Sequence, residues 1–514
     1  MKRTALVAAC AALVASLAGT STTAADTTRV IVAFKPGTGA QMRAAVAAAR
    51  GQVKLDIQGM DAMAIEVPTA ALAGLARNPH VEYVEEDAKR YPFALTTPST
   101  GTPYALGQRV PYGIAMVQAD QLSDAAAANR MVCIIDSGYD RSHEDLSAGS
   151  NVTGEFDTGT GWWYTDENSH GTHVAGTIAA VNSAGTGVVG VAPNRNLKLH
   201  IVKVFGANGW AYSSTLATAA NKCQAAGAHV ISMSLGGSVS NRTEQRAFDS
   251  LYAAGILPIA AAGNGGNTRT SYPAGYASVV SVAAVDEFKA KASFSQANKD
   301  VEIAGPGVGV LSTVPMGTGV GSALTVGTTT YAPGDMEGSP RQTRTGALFD
   351  FGIGSATNAG AAGKVCLIAR GTVDFATKVS NCQASGGVGA VVYNNVAGGF
   401  SGTLGTTVTS IPSVTASDTE GAAMLGQIGQ SATVSVGPSN YAYFDGTSMA
   451  TPHVSAVAAL VWSLNTGCTA AQLRNSLNKS ALDLGVAGRD PSFGFGLVQA
   501  KAADTRIKSL GCGN

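Results

Sequence analysis

The sequence predicts an α/β protein with a doubly wound, mostly parallel sheet, preceded by a small α/β unit and interrupted by an inserted piece. Three observations lead there. From about residue 110, the short apolar runs MVCIID, LHIVKVF, HVISMSL, ILPIAAA and SVVSVAAV are separated by TLATAANKCQAAG and RTEQRAFDSLYAAG, which have helical periodicity. Strands of a parallel sheet, buried on both faces, read as continuous apolar runs of this kind. The pattern stops after Pro306 and resumes in FDGTSMATPHVSAVAALVWSL. With 514 residues, 45% of them hydrophobic and only 13% charged, the chain is long and apolar enough for several cores, which excludes a disordered protein. Lys+Arg 34 balance Asp+Glu 34, a net charge of zero that argues against nucleic acid or an anionic membrane as a partner held by bulk electrostatics.

The elements follow in order. Lys2 and Arg3 precede an apolar run over residues 5–18, and Thr23-Ala24-Ala25 has the small residues of a signal-peptidase site. Residues 1–25 therefore read as an export signal and the protein as secreted and extracellular. A retained anchor would need ~20 apolar residues, and Cys10 has too little apolar sequence before it for a lipoprotein site. Residues 26–92 read as strand, helix, strand, strand, helix, strand (RVIVAF, QMRAAVAAA, VKLDI, AMAIEV, TAALAGLA, HVEYVEED), with no catalytic grouping. Residues 93–107, rich in Pro, Thr, Ser and Gly, read as a linker. The main domain then occupies 108–315 and 441–514. The interruption, 316–440, is Gly- and Thr-rich, and GKVCLIARGTVDFATKVSNCQASGGVGAVVYNN in its middle reads as strand, helix, strand. Exposed loops whose ends lie close together tolerate such insertions.

Without Cys10 six cysteines remain, and an even count in an exported chain reads as disulfides. Proximity favours Cys366 with Cys382 and Cys468 with Cys512. Cys133 and Cys223 then pair by elimination, or stay as two buried free thiols. No spacing suits a zinc site.

Three segments hold polar residues that the apolar framework does not need. Asp136 ends the strand MVCII, at the sheet edge where open α/β folds place their sites. His170 opens the helical stretch HGTHVAGTIAA, and Ser448 precedes another long apolar helix. A serine hydroxyl becomes a nucleophile when an imidazole takes its proton, and the imidazole needs a carboxylate to fix its tautomer. Singly, each has a plain structural use: Asp136 as a turn cap, Ser448 as a helix N-cap, His170 as a packed ring.

Their neighbours decide. IIDSGYD, HGTHVAGT and GTSMATPHVSA, with VISMSLGG, AAAGN and FGFGLVQA, resemble the active-site signatures of subtilisin-like serine proteases, in the same order. The resemblance covers about residue 108 to the C-terminus. It implies Asp136 as orienting acid, His170 as general base and acid, Ser448 as nucleophile, and Asn264 with the Ser448 backbone N–H as oxyanion donors. It implies substrate walls at Ser234, Leu235, Gly236 and at Ala261, Ala262, Gly263, with Ser271 at the floor of the pocket for the residue before the scissile bond. A small neutral floor suits apolar or aromatic side chains. Gly-rich edges let an extended protein or peptide substrate add as a strand.

Residues 29–89 resemble the family's inhibitory propeptide, which templates a slow-folding sheet and blocks the cleft until removed; the cut falls between 90 and 107. Gln108, Asp145 and Asn182, with the loop 181–188, match positions of a calcium site in relatives, and all are oxygen donors. The insert resembles a protease-associated (PA) domain, either substrate-guiding or a spacer. The expectation is a secreted serine endopeptidase made as a zymogen. A silent relative that only binds proteins would not keep every triad position filled, and the G-x-S-x-G elbow of lipases and esterases is missing, because Gly446-Thr447-Ser448 continues as Met449-Ala450.

Overall fold

A computed structural model describes residues 27–92, 109–183, 187–400 and 402–514. The expected signal (1–25), the linker (93–107), Gln108 and the centre of the loop 181–188 lie outside the described residues. The chain divides into two compact units, one of the chain up to Asp56 with Asp61–Val84, the other of Ile57–Met60 with Glu85–Asn514. Glu85 to Pro92, which the sequence places with the first domain, thus group with the second.

In the first unit four strands stand in the spatial order Gln52–Asp56, Ala62–Pro68, Thr27–Phe34, Val81–Glu86. The middle pair is antiparallel, with Val30 opposite Ile65 and Val32 opposite Met63. Alternate residues of a strand share a face, so Val30, Val32, Met63, Ile65 and Val67 form one apolar surface, closed by Met42 and Val46 of the helix Gly39–Ala48 and by Leu75.

The second unit is built on seven strands in the order Ile303–Pro306, Val280–Val285, Leu257–Ala261, Val230–Met233, Met131–Asp136, Lys198–Lys203, Val152–Gly154. Every neighbouring pair is parallel. The strand Met131–Asp136 shows why both faces are covered. Val132 and Ile134 belong to the cluster containing Val174, Met449 and Val457, whereas Cys133 and Ile135 pack with Leu216, Phe248 and Leu251 on the other side. The helices His170–Ala179 and Thr447–Leu464 thus cover one face, Ser213–Ala225 and Arg242–Ala253 the other. Thr447–Leu464 is buried over all of its length but Leu464, which explains a helix apolar on every side.

The interruption leaves and re-enters through one antiparallel pair, Val310–Thr313 with Tyr441–Phe444, and Val314 N–H donates to Asn440 O (2.8 Å). Between them stands a nine-stranded sheet, far more strand than the single strand–helix–strand that periodicity gave. The reason is local. Gly319–Val326, Thr343–Asp350 and Ser431–Ser439 are half-exposed strands in which Gly, Ser and Thr intersperse the apolar residues, Leu324, Val326, Leu348, Ala432, Val434 and Val436 facing the core of the insert. They are held by backbone pairing and by cross-strand hydroxyl contacts such as Thr343–Ser435 (2.6 Å) and Thr345–Thr433 (2.8 Å). Disulfides join Cys133 to Cys223, Cys366 to Cys382 and Cys468 to Cys512, so Cys133 and Cys223 are not free thiols. Among the described residues no helix is long and apolar enough to cross a membrane.

Ile134 is fully buried at the sheet centre. Ile134→Ala should therefore lower stability by about 2–5 kcal/mol, read as a shifted urea midpoint with an unchanged slope.

Candidate active site

Three adjacent parallel strands, Met131–Asp136, Val230–Met233 and Leu257–Ala261, end at the same edge, and Asp136, Ser234 and Asn264 lie at or just past those ends. Asp136 is buried, and its Oδ1 accepts the Ser137 N–H (2.7 Å) and stands 2.7 Å from His170 Nδ1. A carboxylate against Nδ1 keeps the proton on that nitrogen and leaves Nε2 as the basic one. His170 is the first residue of the helix His170–Ala179. Asp166 holds that helix start in place: its Oδ1 accepts Ser137 Oγ (2.8 Å) and Ser169 N (2.9 Å), and its Oδ2 accepts Thr172 N (2.8 Å) and Thr172 Oγ1 (2.6 Å). An anion at a helix N-terminus is stabilised by the exposed N–H groups. The helix lies directly on the strand end because residue 171 is glycine; a Cβ there would stand 2.3 Å from Gly138 O.

Ser448 is the second residue of Thr447–Leu464, which packs against His170–Ala179. Pro452 in this helix has no N–H for the carbonyl four residues earlier, that of Ser448. Ser234 replaces it: Ser234 Oγ donates to Ser448 O (2.7 Å), while Ser448 Oγ donates to Ser234 O (2.7 Å). Asn264 is fixed to the same helix end. Its Oδ1 accepts Thr447 N–H (2.9 Å) and Thr447 Oγ1 (2.7 Å), and Thr447 Oγ1 accepts Gly263 N–H (3.1 Å). Because a backbone N–H can only donate, the amide orientation is settled, and Nδ2 is the group turned away from Thr447.

The expected substrate walls gather here. Leu235–Gly236 is a short strand, and Ala261, Ala262 and Gly263 run out of the neighbouring parallel strand. Gly263 has φ +110°, and a Cβ there would meet Gln296 Oε1 at 1.6 Å and Ser271 Cβ at 3.4 Å, so Ser271 lies against this wall. Ser271 Oγ also reaches Gly237 O (3.5 Å).

Four residues that sequence reasoning gave no role sit close by. Lys89–Pro92 forms the middle strand between Ala211–Tyr212 and Leu235–Gly236, antiparallel to both. Within it Arg90 is paired with Glu244 inside the protein. Just before it, Glu85 accepts the N–H groups of Arg242 and Thr243, and Asp87 accepts Ser214 N–H, each at a helix start. For Glu85, Asp87 and Arg90 the signal available in sequence was only a charged run, EEDAKR, which is ordinarily a solvated edge, and Glu244 in RTEQRAF had none.

The expected calcium ligands are partly placed. Asp145 is buried, its Oδ2 accepts Val188 N–H (2.6 Å), and its Oδ1 has no hydrogen-bond partner among the described residues. Burial pushes this carboxyl above the usual range. Asn182 is exposed, and the preceding Val181 N–H donates to Asp145 O (2.8 Å). The described residues hold no group of three or more His, Cys, Asp or Glu able to share a metal.

Two further histidines are buried. Burial, then the neighbouring His170, lowers His173 to about 3, and its Nε2 faces Val310 O (2.9 Å) and Ala442 O (3.1 Å). Burial lowers His453 to about 4. An unfolded chain takes up these protons below ~6.5 while the folded one does not. Their contribution to stability is thus complete above that pH and is lost as pH falls toward 3. The melting midpoint should drop between pH 7 and pH 4, and His173→Gln should make that drop smaller.

The subtilase family model matches residues 128–496, and that of the fervidolysin N-terminal prodomain matches 26–87. Subtilisin DY of Bacillus licheniformis is 43% identical over 220 residues, 41% of this chain and 77% of that protein. The crystal structure of the psychrophilic subtilisin-like protease Apa1 from the Antarctic psychrotroph Pseudoalteromonas sp. AS-11 superposes with a TM-score of 0.69 at 43% identity, covering 79% of this chain and all of that one. Fervidolysin from Fervidobacterium pennivorans, at 23% identity and TM-score 0.60 over 93% of this chain and 61% of that one, shares the fold. With a parallel sheet edge that gathers an acid, an imidazole and a hydroxyl, and a family match across most of its length, the chain belongs to the subtilase family of serine endopeptidases and carries a fervidolysin-like prodomain.

Proposed function

We propose that Asp136, His170 and Ser448 form the catalytic triad of a secreted endopeptidase made as an autoprocessed zymogen. The observation that carries this is the buried 2.7 Å contact between His170 Nδ1 and Asp136 Oδ1, at the edge where Ser448 also emerges. The Ser448 hydroxyl turns from Ser234 O toward His170 Nε2, gives up its proton there and attacks the peptide carbonyl carbon. The oxyanion accepts hydrogen bonds from Asn264 Nδ2 and the Ser448 backbone N–H. As the C–N bond breaks, His170 returns the proton to the leaving amine, and water drawn through the same imidazole releases the acyl group. Asp136 stabilises the imidazolium throughout.

The walls Ser234–Gly236 and Ala261–Gly263 receive an extended substrate, and the neutral Ser271 floor favours apolar or aromatic side chains before the scissile bond. The first 25 residues direct export, the cut that releases the enzyme lies between 90 and 107, and until then the prodomain inhibits in cis. The 316–440 insert is a PA-type module, either guiding substrate or serving as a spacer. Ser448→Ala should abolish casein hydrolysis and leave the uncut precursor; normal processing of that variant would overturn the triad. Asn264→Ala should retain KM and lose kcat by about 10²–10³, the scale seen when subtilases lose this donor.

Calcium fits beside Asp145, whose buried Oδ1 lacks a partner among the described residues. Asp145, Asn182 and Gln108 would supply oxygen ligands, and the ion would pin the loop 181–188. Chelation with EGTA should lower the melting midpoint of the wild type and leave that of Asp145→Asn unmoved; equal midpoints for the wild type with and without EGTA would remove the ion from this account.

A further inference from the structure

The strand Lys89–Pro92 occupies the place where an extended substrate would add. Tyr91 stands opposite Gly236, Pro92 opposite Leu235, and Arg90 opposite Ala211. Because side chains alternate along a strand, Tyr91 turns outward, at 45% exposure, and Arg90 turns inward, at 0%. Arg90 enters a pocket built for its shape. Its Nε donates to Glu244 Oε1 (3.0 Å), Nη2 to Glu244 Oε2 (2.6 Å) and Val239 O (3.0 Å), and Nη1 to Lys89 O (3.1 Å). This fork-on-fork pairing is the strongest that a carboxylate offers to a side chain.

Glu244 is itself held in place. It lies in the first turn of Arg242–Ala253, its N–H donates to Asn241 Oδ1 (2.9 Å), and its Oε2 accepts the Tyr276 hydroxyl (2.7 Å). A buried carboxylate is costly unless a cation meets it. Once the chain is cut and residues 89–92 depart, Glu244 keeps Tyr276 and loses its cation.

We infer that Glu244 makes this pocket a specificity subsite for arginine in substrates, with the prosegment's Arg90 as its built-in occupant. This deepens the endopeptidase reading and rests on it. Ser234, whose carbonyl takes the Ser448 hydroxyl, is one residue before Leu235. A substrate strand in the register of Lys89–Pro92 therefore brings opposite Ser234 the residue three places after its arginine. The enzyme thus reads two positions: an apolar side chain against Ser271 and, three residues upstream, a guanidinium against Glu244. Lysine reaches the carboxylate as a single point charge without the fork. Alanine leaves the carboxylate unpaired, and glutamate sets two like charges together.

The test uses the wild-type mature enzyme and quenched peptides that share an aromatic residue before the cut and differ only three residues upstream. The expected order of kcat/KM is Arg, Lys, Ala, Glu, with Arg above Ala by roughly tenfold or more. Glu244→Gln should bring the Arg-to-Ala ratio close to one. Equal kcat/KM for the Arg and Ala peptides in the wild type overturns the inference, as does an unchanged ratio in Glu244→Gln. The wild-type series decides alone if that variant does not mature. Failure to cut any peptide, together with no labelling by a fluorophosphonate, would instead overturn the endopeptidase reading and the subsite with it.

Discussion

The register of the helix Thr447–Leu464 against the sheet edge is the constraint on which the site depends. Pro452 deprives the Ser448 carbonyl of its helical partner, and the Ser234 hydroxyl, from the end of a different strand, takes the vacancy while its own carbonyl accepts the Ser448 hydroxyl. An unpaired buried carbonyl would cost on the order of 1–3 kcal/mol, so the helix start cannot slide without losing this pair of bonds. Thr447, one residue earlier, fixes Asn264 by two more. Ser448, Asn264 and Ser234 are thereby held as one piece, and the burial of nearly the whole helix supplies its rigidity.

The imidazole side is organised by different means. Asp166 gathers the Ser137 hydroxyl and the first N–H groups of the His170 helix, so strand end and helix start share one carboxylate. Asp136 then only has to present Oδ1 to a ring whose position is already set. The same device recurs where Glu85 and Asp87 meet the starts of Arg242–Ala253 and Ser213–Ala225. Helix N-termini thus serve as docking points for acids of the segment that follows the prodomain, and Arg90, just after those anchors, is buried against Glu244.

Much of this was legible beforehand. The five apolar runs and the helical segments between them are strands and helices of the observed sheet, because a strand buried on both faces is mostly apolar, with polar residues such as Asp136, His200 and Ser232 as exceptions. The strings around Asp136, His170, Ser448 and Asn264 stood out because packing alone does not require them. Most strands of the insert were not legible, since their few apolar residues are interspersed with Gly, Ser and Thr, although Ala432, Val434 and Val436 do alternate along one of them. Arg90 and Glu244 were not either: 154 positions separate them, and a lone charge in sequence looks solvated whether or not it is.

The sequence by itself determined the fold class and the interruption of the main domain, since these follow from local period and composition. Only the tertiary structure decided which groups meet. The pairing of Cys133 with Cys223, the exchange of hydroxyl bonds between Ser234 and Ser448, and the burial of Arg90 on Glu244 arise from strand order and crossover geometry. Such contacts join distant residues through a packed interior, and no periodicity along the chain encodes them.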